Sequence, residues 1–324
     1  MHDLITPTAA IAGFCRLNRL ELIEASGSEA SAFLHSQLTN DVASLTLSQA
    51  RLAGYCTPKG RLLASLLIWK AAGDEGIVLE LPAEQRSTFQ KRLQMFIMRA
   101  KVTLTHTPKT IIGILGHSSA LQLVSLFEQV PPSPYSCVRN ENGSLIRLAD
   151  ADGIERYQWI TSAELAQQHS AQLGAELPEQ VWFWSEIRAG IPHITLATQE
   201  KFVPQMINYE LLGGVNFKKG CYPGQEIVAR SQYLGKQKRR MVLARIDSKA
   251  VASGMEVFAS DDFPEENAQP CGMIVNAEPN GAQGCDCLIE IKLSYLNANV
   301  QLSSGEHCQW LAMPYPLPTE VEAG

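Results

Sequence analysis

A chain of 324 residues with 45% hydrophobic and 19% charged side chains has the composition of a folded globular protein of two or three domains, not of a disordered one. Its formal net charge of −6 excludes a uniformly basic nucleic-acid binder. No apolar run approaches the roughly 18 residues of a membrane-spanning helix. The opening MHDLITPTAAIAGF also lacks the basic head and long apolar core of a secretion signal. The expected compartment is therefore the cytoplasm, with the eight cysteines as reduced thiols.

In chain order, LNRLELIEA (17–25) alternates as a strand, and SGSEASAFLHSQLTNDV reads as a helix with Ser28 as N-cap. ARLAGYCTPKGRLLASLLIWK predicts two strands joined by a turn at Pro58–Gly60, and GIVLELP a third. AEQRSTFQKRLQMFIMRA is helical, with Phe89, Leu93, Phe96 and Ile97 on one face, and KVTLTH returns as a strand. A second unit starts at TIIGILG (110–116). It continues through the helix SSALQLVSLFEQV, the strands GSLIRLA and RYQWIT, and the helices AELAQQHSAQLG and LPEQVWFWSEIRAG, the last stopped by Gly190-Ile191-Pro192. From residue 241, RMVLARID, GMEVFA, CGMIVNAE, DCLIEIKLSY and VQLSS read as the strands of a small barrel. The expected fold class is α+β: two ferredoxin-like units, 1–109 and 110–240, interleaved, followed by an antiparallel β-barrel at 241–324.

The segment FKKGCYPGQEIVAR (217–230) combines a thiol with turn chemistry. Tyr222-Pro223-Gly224-Gln225 fits a type II turn, and QEIVARSQYL can begin a helix, so Cys221 is expected near a helix N-terminus. Lys218, Lys219 and Arg230 would favour its thiolate. This describes either a reactive, ligand-facing thiol or a turn whose cysteine merely packs. Elsewhere the chain has no Walker loop, no GxGxxG and no HExxH. His35, His106, His117, His169 and His193 each stand alone. Cys271, Cys285, Cys287 and Cys308 lack CxxC spacing and read as strand-core filler, with no metal expected. KQKRR (236–240) is the one basic run, either a solvated linker or a phosphate-contacting patch for tRNA.

KGCYPGQE and the LGKQKRR after it resemble the signature of the YgfZ family of folate-binding, tRNA-modification-related proteins, relatives of the glycine cleavage T-protein. FLHSQLTNDV, YCTPKGRLLASLLIW, FIMRAKV, RAGIP and FVPQMINYELLGGVNF follow in the same order, so the likeness spans most of 20–240. It implies a T-protein-like fold around a central cavity that takes tetrahydrofolate. It also implies a role supporting iron–sulfur enzymes, including those that thiolate tRNA.

Carried onto this chain, Cys221 is the functional thiol at the edge of that cavity, with Lys219, Tyr222, Gln225 and Glu226 around it. Trp182 is the residue expected to stack on the folate ring, and Gln205, Asn208 and Arg61 are further cavity candidates. Two positions depart from the relatives. The acidic pair that assists aminomethyl transfer in T-proteins is here Ala64-Ser65, so classical aminomethyl transfer is not expected. A different folate-dependent one-carbon transfer or demethylation stays as an alternative. The glutamate that pairs with the pterin ring is here Arg188, which has donors only. Either Glu186 takes over that contact or Arg188 meets a carboxylate.

Overall fold

The computed structural model describes residues 11–71, 76–233, 237–260, 268–281 and 283–318. Strand β1 (Gly13–Arg16) comes first, then β2 (Leu20–Ser26), α1 (Ala30–Gln37), β3 (Ala50–Cys56), β4 (Leu62–Lys70), β5 (Ile77–Pro82), α2 (Ala83–Ile97) and β6 (Thr103–His106). The largely apolar runs of β4 and β5, broken only by Ser65 and Glu80 before the terminal Lys70, are those of strands buried on both faces. They lie central in an antiparallel sheet of order β3-β4-β5-β2-β6.

The second group comprises β7 (Thr110–Leu115), α3 (His117–Leu121), α4 (Val124–Phe127), β8 (Cys137–Asn140), β9 (Gly143–Ala151), β10 (Ile154–Thr161) and α5 (Ala163–His169). Its sheet runs β1-β7-β10-β9-β8. The arrangement repeats that of the first sheet, except that the outer strand is β1, which precedes the first sheet in sequence and pairs Gly13 with Leu115 and Arg16 with Ile112.

After α6 (Glu179–Arg188) the chain runs through turns and two short 3-10 helices, Leu196–Thr198 and Pro204–Ile207, to α7 (Gln225–Tyr233). The last sheet holds β11 (Arg239–Ile246), β12 (Glu256–Ala259), β13 (Gly272–Pro279), β14 (Cys285–Lys292), β15 (Val300–Leu302) and β16 (Cys308–Leu311), in the order β15-β12-β13-β14-β11-β16. It is a curled half-barrel. Its two outermost strands span only three and four residues and approach at the single bridge Gln301–His307, so the expected antiparallel barrel takes the form of this half-barrel.

Several local expectations are corrected. Ser28 does not cap α1; the first helical amide, on Ala30, is satisfied by the Gly27 carbonyl, 3.0 Å away. Phe89 and Leu93 are buried, but Phe96 of the same predicted face is 48% exposed. The helix expected over SSALQLVSLFEQV breaks into α3 and α4. The short strands β1, β8 and β16 lacked enough alternation to be read.

Helix α6 positions the centre of the molecule, packed between the second sheet and strands β13 and β14 of the half-barrel. Successive residues on a helix point about 100° apart, and Trp182, Phe183 and Trp184 use that rotation to meet three surroundings. Trp182 lies flat on β7 at Gly113, where even a Cβ would stand 2.4 Å from the indole. Trp184 turns to the half-barrel and donates to Asp286 at 3.0 Å. Phe183 faces a cavity.

A cavity where the three sheets meet

A cavity of about 600 Å³ is lined by Asn18–Leu20 and Pro82–Glu84 of the first sheet region, by Phe183, Glu186 and Ile187 of α6, by residues of the 191–197 loop, and by Asn276–Glu278 of β13. That volume suits a drug-sized or cofactor-sized ligand. At one wall the Arg19 guanidinium sits 3.8 Å above the Phe183 ring centroid. Arg19 also pairs with Glu278 at 2.5 Å, and its backbone amide donates to Glu179 at 2.7 Å. The 191–197 loop is pinned to β13 by reciprocal bonds between the His193 main chain and the Asn276 amide at 2.8 and 2.9 Å.

The inner end is polar. Buried Glu186 pairs with the Arg156 guanidinium, which also donates to the Ser185 carbonyl at 3.2 Å, and His193 Nε2 lies 3.6 Å from Glu186. Burial alone would raise the Glu186 pKa, but Arg156 and His193 together hold it below the usual carboxylate range. Beyond Glu186 a narrow recess of about 30 Å³ shares Leu20, Glu186, Ile191 and His193 with the cavity and adds Ser65, Glu80, Tyr135, Gln158 and Tyr209. Gln158 donates to Glu80 Oε1 at 3.1 Å. Burial, reinforced by the nearby Glu186 charge, pushes the Glu80 carboxyl up to about 8.

Of the residues expected at a ligand site, Glu186 lines both the cavity and the recess. Trp182 is fully buried, between Gly113 and the Arg156 guanidinium 4.8 Å from its ring. The helix face that meets the cavity belongs to Phe183. Arg188 meets protein carboxylates instead: Asp152 binds it through two contacts at 2.6 and 3.0 Å, and Asp286 lies 3.5 Å away. Gln205 and Asn208 are internal staples, donating to the Val228 and Met241 carbonyls at 2.8 Å each. Arg61 donates to the Glu200 and Lys201 carbonyls beside a separate surface groove.

The signature turn forms as expected but apart from the cavity. Gln225 N donates to Tyr222 O at 3.1 Å, and Gly224 has φ +82°, as a type II turn requires. Gly224 presses on the Pro58–Gly60 turn so closely that a Cβ would lie 2.4 Å from Thr57 O and 2.6 Å from Gly60 Cα. Cys221 is exposed and is not among the residues lining the cavity or recess. Lys219 caps the end of α1 by donating to the His35 and Leu38 carbonyls. Its ammonium lies 4.9 Å from the centroid of the buried Tyr222 ring. Burial lowers its pKa to about 8, against the opposing pull of Asp41 and Cys221. Gln225 reaches the Lys219 carbonyl at 3.5 Å, and Glu226 is exposed.

Of the basic run, Lys236 lies outside the described residues. Arg239 forms two contacts with Glu290 at 2.8 and 2.9 Å, and the buried Arg240 pairs with Glu210. Both arginines are committed to holding β11 in place. Among the described residues no group of three His, Cys, Asp or Glu side chains is arranged to hold a metal ion. Sequence reading missed Arg19, Glu80, Gln158, Phe183 and His193. The available signal was Glu80, a lone acid inside the otherwise apolar strand IVLELP.

The tRNA-modifying protein YgfZ of Photorhabdus laumondii is 31% identical over 240 residues, which cover 72% of this chain and 71% of that relative. The chain belongs to the YgfZ family. The tRNA-modifying protein YgfZ of Enterobacter sp. (strain 638) is 30% identical over 220 residues, 67% of this chain and 66% of that protein. No family model matches the chain. Among solved structures, the glycine cleavage system aminomethyltransferase T of Bartonella henselae superposes with a TM-score of 0.73 at 14% identity, over 95% of this chain and 86% of that one. At that identity the likeness speaks to fold alone. The YgfZ relatives and the T-protein architecture thus agree with the resemblance carried by KGCYPGQE. No described helix is long and apolar enough to cross a membrane.

Proposed function

We propose that the chain is a tetrahydrofolate-binding accessory protein that supports iron–sulfur enzymes and through them tRNA modification. The observation that carries the folate half is the cavity at the meeting of the three sheets. It has an aromatic wall at Phe183, a guanidinium over that wall, and a polar inner end. A folate has the matching polarity, with a flat hydrogen-bonding ring at one end and carboxylates at the other. In this reading Phe183 takes the packing role first given to Trp182, and Glu186 faces the ring. The tRNA half is supported by the names of the YgfZ relatives.

Cys221, on its own exposed turn, is offered to a partner protein rather than to the folate. Lys219 and the Gly224–Gly60 contact hold that turn in place. One-carbon transfer is not favoured, because Ala64 and Ser65 supply no carboxylate and the thiol stands away from the cavity.

Titrating tetrahydrofolate under reducing conditions, with intrinsic fluorescence as readout, tests the site. Phe183→Ala is expected to weaken binding about tenfold, and an unchanged affinity would remove the cavity from the account. Comparing thiolated tRNA in cells with and without the protein, and with Cys221→Ser, tests the role. Equal thiolation in all three would end it.

A further inference from the structure

Three polar atoms of the narrow recess beside the cavity are buried without a hydrogen-bond partner among the described residues: Glu80 Oε2, Gln158 Oε1 and the Tyr135 hydroxyl oxygen. All three residues line the recess, and both Glu80 and Gln158 are at most 5% exposed. Buried polar atoms left unpaired carry a desolvation cost. Their clustering beside a ligand-sized cavity marks a surface made to be completed by something else. Glu80 belongs to β5 and stands across from Leu67 of β4. Ser65 lies two residues back on the same strand face, with its hydroxyl occupied by the Ile194 amide at 2.9 Å. The free carboxyl at this end wall therefore comes from β5.

The protonation of the pair follows from its bonds. Gln158 uses its amide N–H on Glu80 Oε1, which leaves the amide oxygen as an acceptor. A protonated Glu80 carries its hydrogen on the other oxygen, so the wall presents one donor and one acceptor side by side. That pairing complements a cyclic amide edge, where a ring carbonyl adjoins a ring N–H. We infer that Glu80, as a neutral carboxylic acid, and Gln158 read the lactam edge of a fused pyrimidinone ring, and that Glu80 sets the specificity for the ring carbonyl. This deepens the folate reading of the cavity and rests on it. The charged and titratable neighbours are Glu186 on α6 with its partner Arg156 on β10, His193 on the loop, Tyr135 before β8 and Tyr209. β2, β3 and β4 contribute only Leu20, Leu52, Ser65, Leu66 and Leu67 to the recess. The carboxyl that titrates near 8 is thus Glu80 itself.

The test compares folic acid with aminopterin, in which an amino group replaces the ring carbonyl, by calorimetric titration at pH 7 of wild type, Glu80→Gln and Glu80→Leu. Wild type is expected to prefer folic acid by about tenfold, the worth of one buried hydrogen bond made rather than opposed, and Glu80→Leu to lose the preference. From pH 6.5 to 9, folic acid affinity should fall further in wild type than in Glu80→Gln, because only wild type ionises at the wall; the ligand's own ionisation is common to both. Equal discrimination in wild type and Glu80→Leu, or parallel pH profiles in wild type and Glu80→Gln, overturns the inference. A wild type that binds neither compound overturns the folate reading beneath it. Glu80→Gln keeps the shape and a donor, so the pH arm survives should Glu80→Leu fail to fold.

Discussion

Replacing Gly224 with alanine isolates how tightly the signature turn is built. Gly224 holds φ +82°, where a Cβ costs about 1 kcal/mol. Here the Cβ also meets Thr57 O at 2.4 Å and the Gly60 N and Cα at 2.6 Å each. All three are backbone atoms, so no rotamer change relieves the overlap, and overpacking of this kind costs about 1–3 kcal/mol. The expected loss is about 2–4 kcal/mol in all. Gly213 is the matched control. It has φ +75° and nothing within 4 Å of its Cβ position, so Gly213→Ala should cost only the conformational part, about 1 kcal/mol. Urea unfolding of the three proteins, extrapolated linearly, gives the comparison. Gly224→Ala no more destabilising than Gly213→Ala would refute the claim that the two turns are locked backbone against backbone.

Other outcomes follow from groups already placed. Glu186→Gln strands the buried Arg156 guanidinium and should cost about 3–5 kcal/mol, while adding Arg156→Met should recover much of it; denaturant midpoints distinguish the two. Trp182→Ala should cost about 3–5 kcal/mol through the void left on β7, and its folate affinity, where it still folds, should change less than that of Phe183→Ala. Glu80 has a folded pKa near 8 against an ordinary value of 4.5. Between those values the unfolded chain binds fewer protons than the folded one, so this contribution to stability is full below about pH 4.5 and declines up to about pH 8. Glu80→Gln should therefore gain in stability relative to wild type as pH rises from 5 to 8, by about 3 kcal/mol at pH 7, and a pH-independent difference in melting would contradict the assignment. A disulfide reagent on the native protein should label Cys221 first, since the other seven cysteines are buried or half-buried; a fast phase that persists in Cys221→Ser would mean another thiol is open.

How far the sequence spoke depends on the kind of signal. The Pro58–Gly60 and Tyr222–Gln225 turns were legible because proline and glycine fix backbone angles locally. β4 and β5 were legible because strands buried on both faces are largely apolar, Ser65 and Glu80 being the exceptions. Trp182 illustrates what composition withholds. WFW announces three large side chains on one helix, but which of them meets the cavity depends on helix rotation against Gly113, some 70 residues away in sequence. The arginines of KQKRR looked like a free charged run because their partners, Glu210 and Glu290, stand far off along the chain. The half-barrel reads from sequence simply as a barrel, because short strands reveal their number but not whether the last meets the first.

The position of β1 carries a consequence for biosynthesis. Strand β1 leaves the ribosome before its hydrogen-bonding neighbour, β7, which is made about a hundred residues later. Until β7 emerges, residues 13–16 have no edge to join, although β2 through β6 already have their own partners. Deleting residues 13–16 should therefore damage the second sheet and spare the first, the reverse of what linear order suggests.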